Sequence, residues 1–214
     1  MNEFELINKY FSKLTNKSES SLNLKDDVFF DKKKNLVVSM DTYIEGKHFI
    51  NFKNPGFTIK KVIRSSISDL ICKGVKPKYY FISASGNNKV FTKNNLAEIS
   101  KSLKEEQKKY NIILGGGDTV YSNKLSFTVT SIGFSNKIIY RNRSKINDDI
   151  YVTGDLGDSY LGLLVLKKDI KINKKLSNYF VNEYYKPEIK YSLTDCLNKF
   201  ATSSIDLSDG LISD

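Results

Sequence analysis

The spacing of apolar residues predicts a chain that mixes helices and strands. Apolar side chains recur with a helical period in several segments: residues 3–14, 58–72, 94–110, 158–168 and the two stretches that flank Pro187. Short apolar or alternating segments predict strands: residues 35–40, 78–85, 111–114, 125–134 and 149–153. Because helices and strands do not alternate regularly, the pattern favours an α+β fold over a doubly wound parallel sheet.

Two breaks in the pattern suggest how the chain is organised. Gly115–Gly117 predicts a turn between two strands, and the polar, non-periodic stretch 141–149 predicts a domain boundary. We therefore expect a first domain over 1–140 and the start of a second over 141–214. Segment 204–214 predicts a strand, a turn and one helical turn. A single turn of helix gains little, so we expect the second domain to be incomplete.

Composition narrows the class of protein. The chain of 214 residues is 40% hydrophobic and 12% aromatic, enough to build a core. No apolar stretch reaches the roughly 18–20 residues of a membrane span, and the first residues lack the pattern of a secretory signal. These features predict a cytoplasmic protein without a membrane partner. Cys72 and Cys196 both fall in helical patterns, so we expect two buried free thiols.

The formal net charge of +10 comes mainly from lysine. Only Arg64, Arg141 and Arg143 are arginines, and the lysines are dispersed along the chain. A nucleic-acid binder more often concentrates arginine and aromatic residues on one stripe. The charge is therefore interpreted mainly as a solvated surface, with attraction to an anionic ligand as the alternative.

Aspartates recur where predicted strands end or turn. This group consists of Asp26, Asp27, Asp41, Asp118, Asp206 and Asp209, and Asp69 joins them from within a predicted helix. Each one alone could be a cap or turn former. Asp69, however, stands in mid-helix, where aspartate is unfavourable. Carboxylates that converge on one place repel each other and need bound cations. Oxygen ligands without His or Cys favour Mg²⁺ or Mn²⁺, and water and substrate phosphates would complete the coordination shell of the metal.

Two further features are compatible with a phosphate ligand. Gly115–Gly117 precedes Asp118-Thr119, so its backbone N–H groups could approach a phosphate, although three glycines also suit a plain strand connection. His48, the only histidine, is either structural or a contact for an anionic substrate. The sequence contains no P-loop and no His-Arg-Asp kinase motif, which excludes the familiar NTPase and protein-kinase mechanisms.

Six motifs follow one another along the chain: Lys25-Asp26-Asp27; Val38-Ser39-Met40-Asp41-Thr42 with Glu45-Gly46-Lys47-His48-Phe49; Ser68-Asp69-Leu70 with Gly74 and Pro77; Gly116-Gly117-Asp118-Thr119; Tyr151-Val152-Thr153-Gly154 with Gly157-Asp158-Ser159; and Ile205 to Leu211. In this order they resemble the thiamine-monophosphate kinase family, which is related to aminoimidazole ribonucleotide synthetase and selenophosphate synthetase. The resemblance implies a two-domain synthetase-like architecture, with an N-terminal mixed sheet that carries helices on one face and a C-terminal α+β domain.

The resemblance also implies an activity: in-line transfer of the γ-phosphoryl group of ATP to thiamine monophosphate, giving thiamine diphosphate. The nucleophile would be an already ionised phosphate oxygen, so no general base is assigned. The implied Mg²⁺ ligands are Asp27, Ser39, Asp41, Asp69, Asp118, Asp206 and Asp209. The implied ATP contacts are Gly117, Asp118, Arg141 and Ser208, and His48 would face the substrate phosphate. Family members dimerise through the N-terminal domain, so a homodimer is expected, with strand 125–134 as a candidate participant.

Two departures and two alternatives accompany this interpretation. Lys25 stands where the family usually has Gly, and Met40 stands where it usually has Thr, so a metal contact at residue 40 would come from the backbone. One alternative is a sister ATP-dependent synthetase of the same superfamily. The other is a nucleotide- or nucleic-acid-binding module without catalysis.

Overall fold

A computed structural model describes residues 3–214 and confirms the α+β class. The helices are α1 Glu3–Leu6, α2 Pro55–Cys72, α3 Lys93–Tyr110, α4 Asp158–Lys167, α5 Lys174–Tyr185 and α6 Thr194–Phe200. The strands are β1 Phe29–Asp31, β2 Leu36–Ile44, β3 Pro77–Gly86, β4 Ile113–Tyr121 and β5 Ser126–Phe134. Short π and 3₁₀ segments extend α1 to Thr15, so the predicted opening helix is irregular. In the part of the chain described, no helix is both long and apolar enough to cross a bilayer.

The five strands form one mixed sheet in the order β1-β2-β5-β3-β4. Only β3 and β4 run parallel; the other neighbours are antiparallel. The register places Asp41 of β2 opposite Val129 of β5, and Val129 opposite Ile82 of β3. Strands far apart in sequence are therefore neighbours, and the site residues are distributed across the sheet.

The helices cover one face of this sheet, as predicted. Alternate residues of β5 are buried, beginning with Phe127 and Val129, because side chains of a strand point to opposite faces. The core packs them against apolar residues of α2: Ile59, Val62, Ile63, Ile67 and Ile71. Gly74 ends α2 in the left-handed region, with φ of +72°, which favours a residue without Cβ.

Four sequence predictions about local structure are wrong. Gly115–Gly117 do not form a turn but lie inside β4, where the ring of Phe81 covers Gly115. Segments 149–153 and 204–214 contain no strand, because neither pairs with another strand among the described residues. Cys196 is exposed, whereas Cys72 is buried as predicted. The domain boundary at 140/141 stays a prediction.

Arg64 forms a buried ion pair with Glu106 and also binds the segment that follows α5. The guanidinium of Arg64 on α2 meets the carboxylate of Glu106 on α3 through two hydrogen bonds, Nε–Oε2 at 2.8 Å and Nη2–Oε1 at 3.0 Å. Its Nη1 donates to the carbonyl oxygens of Lys186 and Pro187. Both charged side chains are less than 10% exposed. The pair therefore anchors the segment after α5 to the helices that cover the sheet.

We expect Glu106→Ala to lower the free energy of unfolding by about 3–5 kcal/mol, because it leaves the Arg64 charge buried without its partner. Glu105→Ala is the matched control: Glu105 pairs with Lys60 at the surface, where a lost ion pair costs up to about 1 kcal/mol. Urea unfolding of both variants measures the difference. Equal losses would show that the buried pair does not hold the fold together.

Candidate active site

Small polar residues let α2 lie close to the sheet. Ser39 of β2 donates through its hydroxyl to the carbonyl of Ser66 at 3.4 Å, and the hydroxyls of Ser66 and Ser131 are 3.2 Å apart. All three serines are buried. Larger side chains would push the helix away from the strands, so these serines set the distance between α2 and β2.

This close packing brings three carboxylates together from three parts of the chain. Asp41 lies on β2, Asp69 lies on α2, and Asp206 comes from the C-terminal segment. The hydroxyl of Tyr43 donates to Asp41 at 3.2 Å, and that of Ser68 donates to Asp206 at 2.6 Å. Side chains alternate along a strand, so Ser39, Asp41 and Tyr43 all face α2. We call Asp41, Asp69 and Asp206 the acidic triad.

Burial and mutual repulsion raise the pKa of every member of the acidic triad. Burial raises the pKa of Asp41 to about 6, helped by the charges of Asp206 and Asp27 and opposed by a hydrogen bond from Tyr43. The pKa of Asp69 rises to about 9, first through burial and then through Asp41 and Asp206. Burial also raises the pKa of Asp206. Three carboxyls that resist ionisation together form a site that a bound cation would stabilise.

A second acidic pair lies beside the triad and already has cations as partners. Asp26 and Asp27 precede β1, and Lys73, the residue after α2, places its ammonium 2.9 Å from Asp26 Oδ1 and 2.6 Å from Asp27 Oδ2. Arg141 donates to Asp27 Oδ1 at 3.0 Å. Burial lowers the pKa of Lys73, but the nearby Cys72 and Asp27 raise it, and the net shift is upward.

The donor set fits a hard divalent cation. Oxygen atoms of Asp27 and Asp206 and the sulfur of Cys72 lie within 4.8 Å of one another. Burial raises the pKa of the Cys72 thiol, which keeps the sulfur protonated and a poor ligand. The remaining donors are carboxylate oxygens, the ligands that Mg²⁺ prefers. The predicted site residues Asp27, Asp41, Asp69 and Asp206 are thus brought together.

Three predicted metal ligands, Ser39, Asp118 and Asp209, and one predicted ATP contact, Ser208, lie outside this cluster. Ser39 is adjacent on β2, but its hydroxyl is engaged by Ser66. Asp118 lies on β4, separated from Asp41 by three strand spacings, roughly 14 Å at about 4.8 Å each. The backbone N–H groups of Ser208 and Asp209 donate to the carboxylate of Asp214, and both residues are exposed.

The two remaining predicted contacts, Gly117 and His48, also lie outside the cluster. Gly117 lies beside Asp118 on β4, and a Cβ there would overlap the carbonyl oxygen of Ile82, so the close β3–β4 approach requires glycine. His48 lies in the exposed turn after β2, where its Nδ1 accepts from the N–H of Ile44 at 2.9 Å. Its ring meets the ring of Tyr43 edge-on, with centroids 6.0 Å apart. Tyr43 thus connects His48 to Asp41.

Sequence reasoning missed Lys73, Tyr43 and Ser68, which contact the carboxylates directly. A signal for Lys73 exists: it follows Asp69 by four residues and Leu70 by three, the spacing of one helix face. Tyr43 shares the strand face of Asp41 by its spacing of two. Ser68 offers no such signal, since its partner Asp206 lies far along the chain.

Comparison with protein families and curated relatives gives consistent matches. The family described as AIR synthase related protein, N-terminal domain, matches residues 25–135. Thiamine-monophosphate kinase of Buchnera aphidicola subsp. Acyrthosiphon pisum is 37% identical over 99% of this chain and 67% of the relative. The enzyme of the same name from Escherichia coli is 32% identical over 99% of this chain and 66% of the relative. The chain thus spans about two thirds of these relatives.

Solved structures agree with the sequence matches. A structure described as AaThiL complexed with AMPPCP and TMP superposes with a TM-score of 0.88 at 25% identity, covering 99% of this chain and 67% of that one. Thiamine monophosphate kinase from Aquifex aeolicus gives a TM-score of 0.85 at 25% identity, covering 99% and 70%.

The raised pKa values of the triad predict how stability depends on pH without divalent cations. Asp41 and Asp69 have an ordinary pKa of 3.8 when unfolded and about 6 and 9 when folded, so the native state binds more protons between these values. The free energy of unfolding therefore falls as pH rises from about 4 to 9. Asp69→Asn should flatten this fall and stabilise the protein at pH 9 by at least about 1.4 kcal/mol, the equivalent of one pKa unit.

Urea unfolding at a series of pH values in EDTA measures this effect, with the exposed Asp169→Asn as the matched control. Millimolar Mg²⁺ should raise the stability of the unmodified protein and raise that of Asp69→Asn less. Superimposable pH curves for the protein and Asp69→Asn would contradict the prediction.

Proposed function

The chain belongs to the thiamine-monophosphate kinase family, and on this basis we propose that it transfers the γ-phosphoryl group of ATP to thiamine monophosphate. The product would be thiamine diphosphate. The observation that carries the proposal is the acidic triad, whose partly buried carboxylates suit cations that accompany phosphates. The relative complexed with AMPPCP and TMP supports the same pair of substrates, read as an ATP analogue and thiamine monophosphate.

The proposed roles follow from where the residues lie. Asp41, Asp69 and Asp206 would hold Mg²⁺, and Asp27 would border the same site. When bound, Mg²⁺ would neutralise the phosphates and the developing charge. The side chains position the reactants for in-line transfer, which needs little covalent participation from protein. The acceptor oxygen of a phosphate monoester is already ionised at neutral pH, so a general base is unnecessary. His48 would face the acceptor phosphate from the turn after β2.

Asp118 and Gly117 would bind a separate part of the same ligand. Their distance from the triad can be bridged only by an extended molecule, and a nucleoside triphosphate has that form. We also propose contacts of ATP and its metal ion with Arg141, Ser208 and Asp209, and Ser39 as a metal ligand. A kinase that uses ATP works where ATP is maintained, so we also propose a cytoplasmic location.

We propose a homodimer formed through the open face of the sheet. The helices leave this face uncovered, and it carries Met40, Ile44, Tyr79, Phe81 and Phe134, of which Met40 is 69% exposed. Neighbouring strands contribute these residues, so they form one apolar patch. Such patches mark interaction surfaces. The predicted participant β5 crosses the middle of this face.

We expect Asp41→Asn to lower the rate of thiamine diphosphate formation by at least about 100-fold, because it removes a carboxylate that would hold the charge-neutralising Mg²⁺, and loss of such transition-state stabilisation has effects of this size. Incubation with ATP, Mg²⁺ and thiamine monophosphate, followed by chromatography of the products, measures the rate. The exposed Asp149→Asn is the matched control. Phosphate release without thiamine diphosphate would favour the sister synthetase activity instead.

The dimer has its own test. Met40→Asp should convert the protein to a monomer in light scattering at micromolar concentration, because it places a charge in the apolar patch. Ile146→Asp introduces the same charge at a residue that is fully exposed away from the sheet, and it should leave the dimer intact. A monomer before any substitution would refute the proposed dimer.

A further inference from the structure

Lys73 is a fully buried lysine whose ammonium has no contact with solvent. Its side chain is 0% exposed. The ammonium lies 2.9 Å from Asp26 Oδ1, 2.6 Å from Asp27 Oδ2 and 2.8 Å from the carbonyl oxygen of Ser204, to which it donates. An ammonium has three N–H donors, and these three oxygens match that number. Lys73 is therefore held in one position by two carboxylates and one carbonyl.

These contacts divide the acidic cluster into two unequal halves. Asp27 has a cation on each oxygen, Arg141 on Oδ1 and Lys73 on Oδ2. Asp26 accepts from Lys73 on one oxygen and from the backbone N–H of Arg141 on the other. In the triad, by contrast, the hydrogen bonds to Asp41 and Asp206 come from the neutral hydroxyls of Tyr43 and Ser68. Basic side chains therefore contact one half of the cluster directly, whereas the charge of Lys73 reaches Asp69 and Asp206 in the other half only from a distance.

We propose that Lys73 is a resident cation that takes the place of one divalent metal ion on the Asp27 side of the site. Metal ions would then enter only beside the acidic triad. This inference rests on the proposed function insofar as it assumes that the triad binds metal. It makes Lys73 a positioning residue, which orients Asp27 and, through Asp27, Arg141.

The chemistry of the two kinds of cation explains what an ammonium in place of a metal ion would achieve. An ammonium donates hydrogen bonds at 2.7–2.9 Å, whereas Mg²⁺ requires about 2.0–2.1 Å and an octahedral shell that it usually completes with water. The buried position of Lys73 offers carbonyl and carboxylate oxygens at the longer distance. Because Lys73 is covalently part of the chain, its charge stays when substrates and metal leave, so Asp27 and Arg141 keep their arrangement between turnovers.

Counting bound Mn²⁺ in the whole protein tests this inference. We expect Lys73→Met, titrated with Mn²⁺ and followed by electron paramagnetic resonance of the free ion, to bind one more Mn²⁺ per chain than the unmodified protein. Its melting temperature should be lower in EDTA and should rise more on adding Mn²⁺. Lys76→Met is the matched control, because Lys76 pairs with Asp195 at the surface and has no contact with the cluster. It should leave the count unchanged.

The outcomes separate this inference from the proposed function. An unmodified protein that binds no Mn²⁺ would overturn the proposed metal site itself. An unmodified protein that binds Mn²⁺, with an unchanged count in Lys73→Met, would overturn only the role of Lys73. So would a Lys73→Met protein that stays unfolded in Mn²⁺, since a metal ion then could not replace the ammonium. The double variant Lys73→Met, Asp27→Asn should return to the original count, and an extra ion there would place it away from Asp27.

Discussion

Mutual repulsion among partly buried carboxylates is the constraint around which the site is organised. The acidic triad is brought together from β2, α2 and the C-terminal segment, and burial raises the pKa of each member. A native state that gathers negative charge in a poorly solvated place must stabilise it by protons, by basic side chains or by bound cations. All three means are visible or implied here: protons on Asp69, basic groups on Asp27, and the proposed Mg²⁺ beside the triad.

The elements whose residues contact one another locally could be predicted well from the sequence. Helices α2 and α3 follow the apolar period closely, and β2, β3 and β5 lie within a few residues of their predicted limits. Local signals were misleading where the partner is distant. Three glycines favour a turn, yet β3 pairs with this stretch and Phe81 covers it. Residues 149–153 look like a strand but lack a neighbour in the described region.

The site could be predicted only in part, because its geometry also depends on partners that are distant along the chain. Motif order pointed to Asp27, Asp41, Asp69 and Asp206, which the structure brings together, but order along the chain does not reveal order across the sheet. Because β5 and β3 lie between β2 and β4, Asp118 is far from the triad. Lys73 was overlooked because lysine is almost never fully buried unless paired, and its partners precede it by more than forty residues.

Helix α2 links the ion pair of Arg64 to the acidic site. Arg64 and Asp69 are five residues apart on this helix, about 7.5 Å along its axis. Arg64 holds the carbonyl oxygens that follow α5, while Asp69 faces β2. A helix is stiff over this length, so Arg64 and Asp69 move together when α2 moves. A displacement of the segment at Lys186 and Pro187 would therefore be transmitted to the carboxylate of Asp69. The geometry of the acidic site then depends on how the segment after α5 packs against α2.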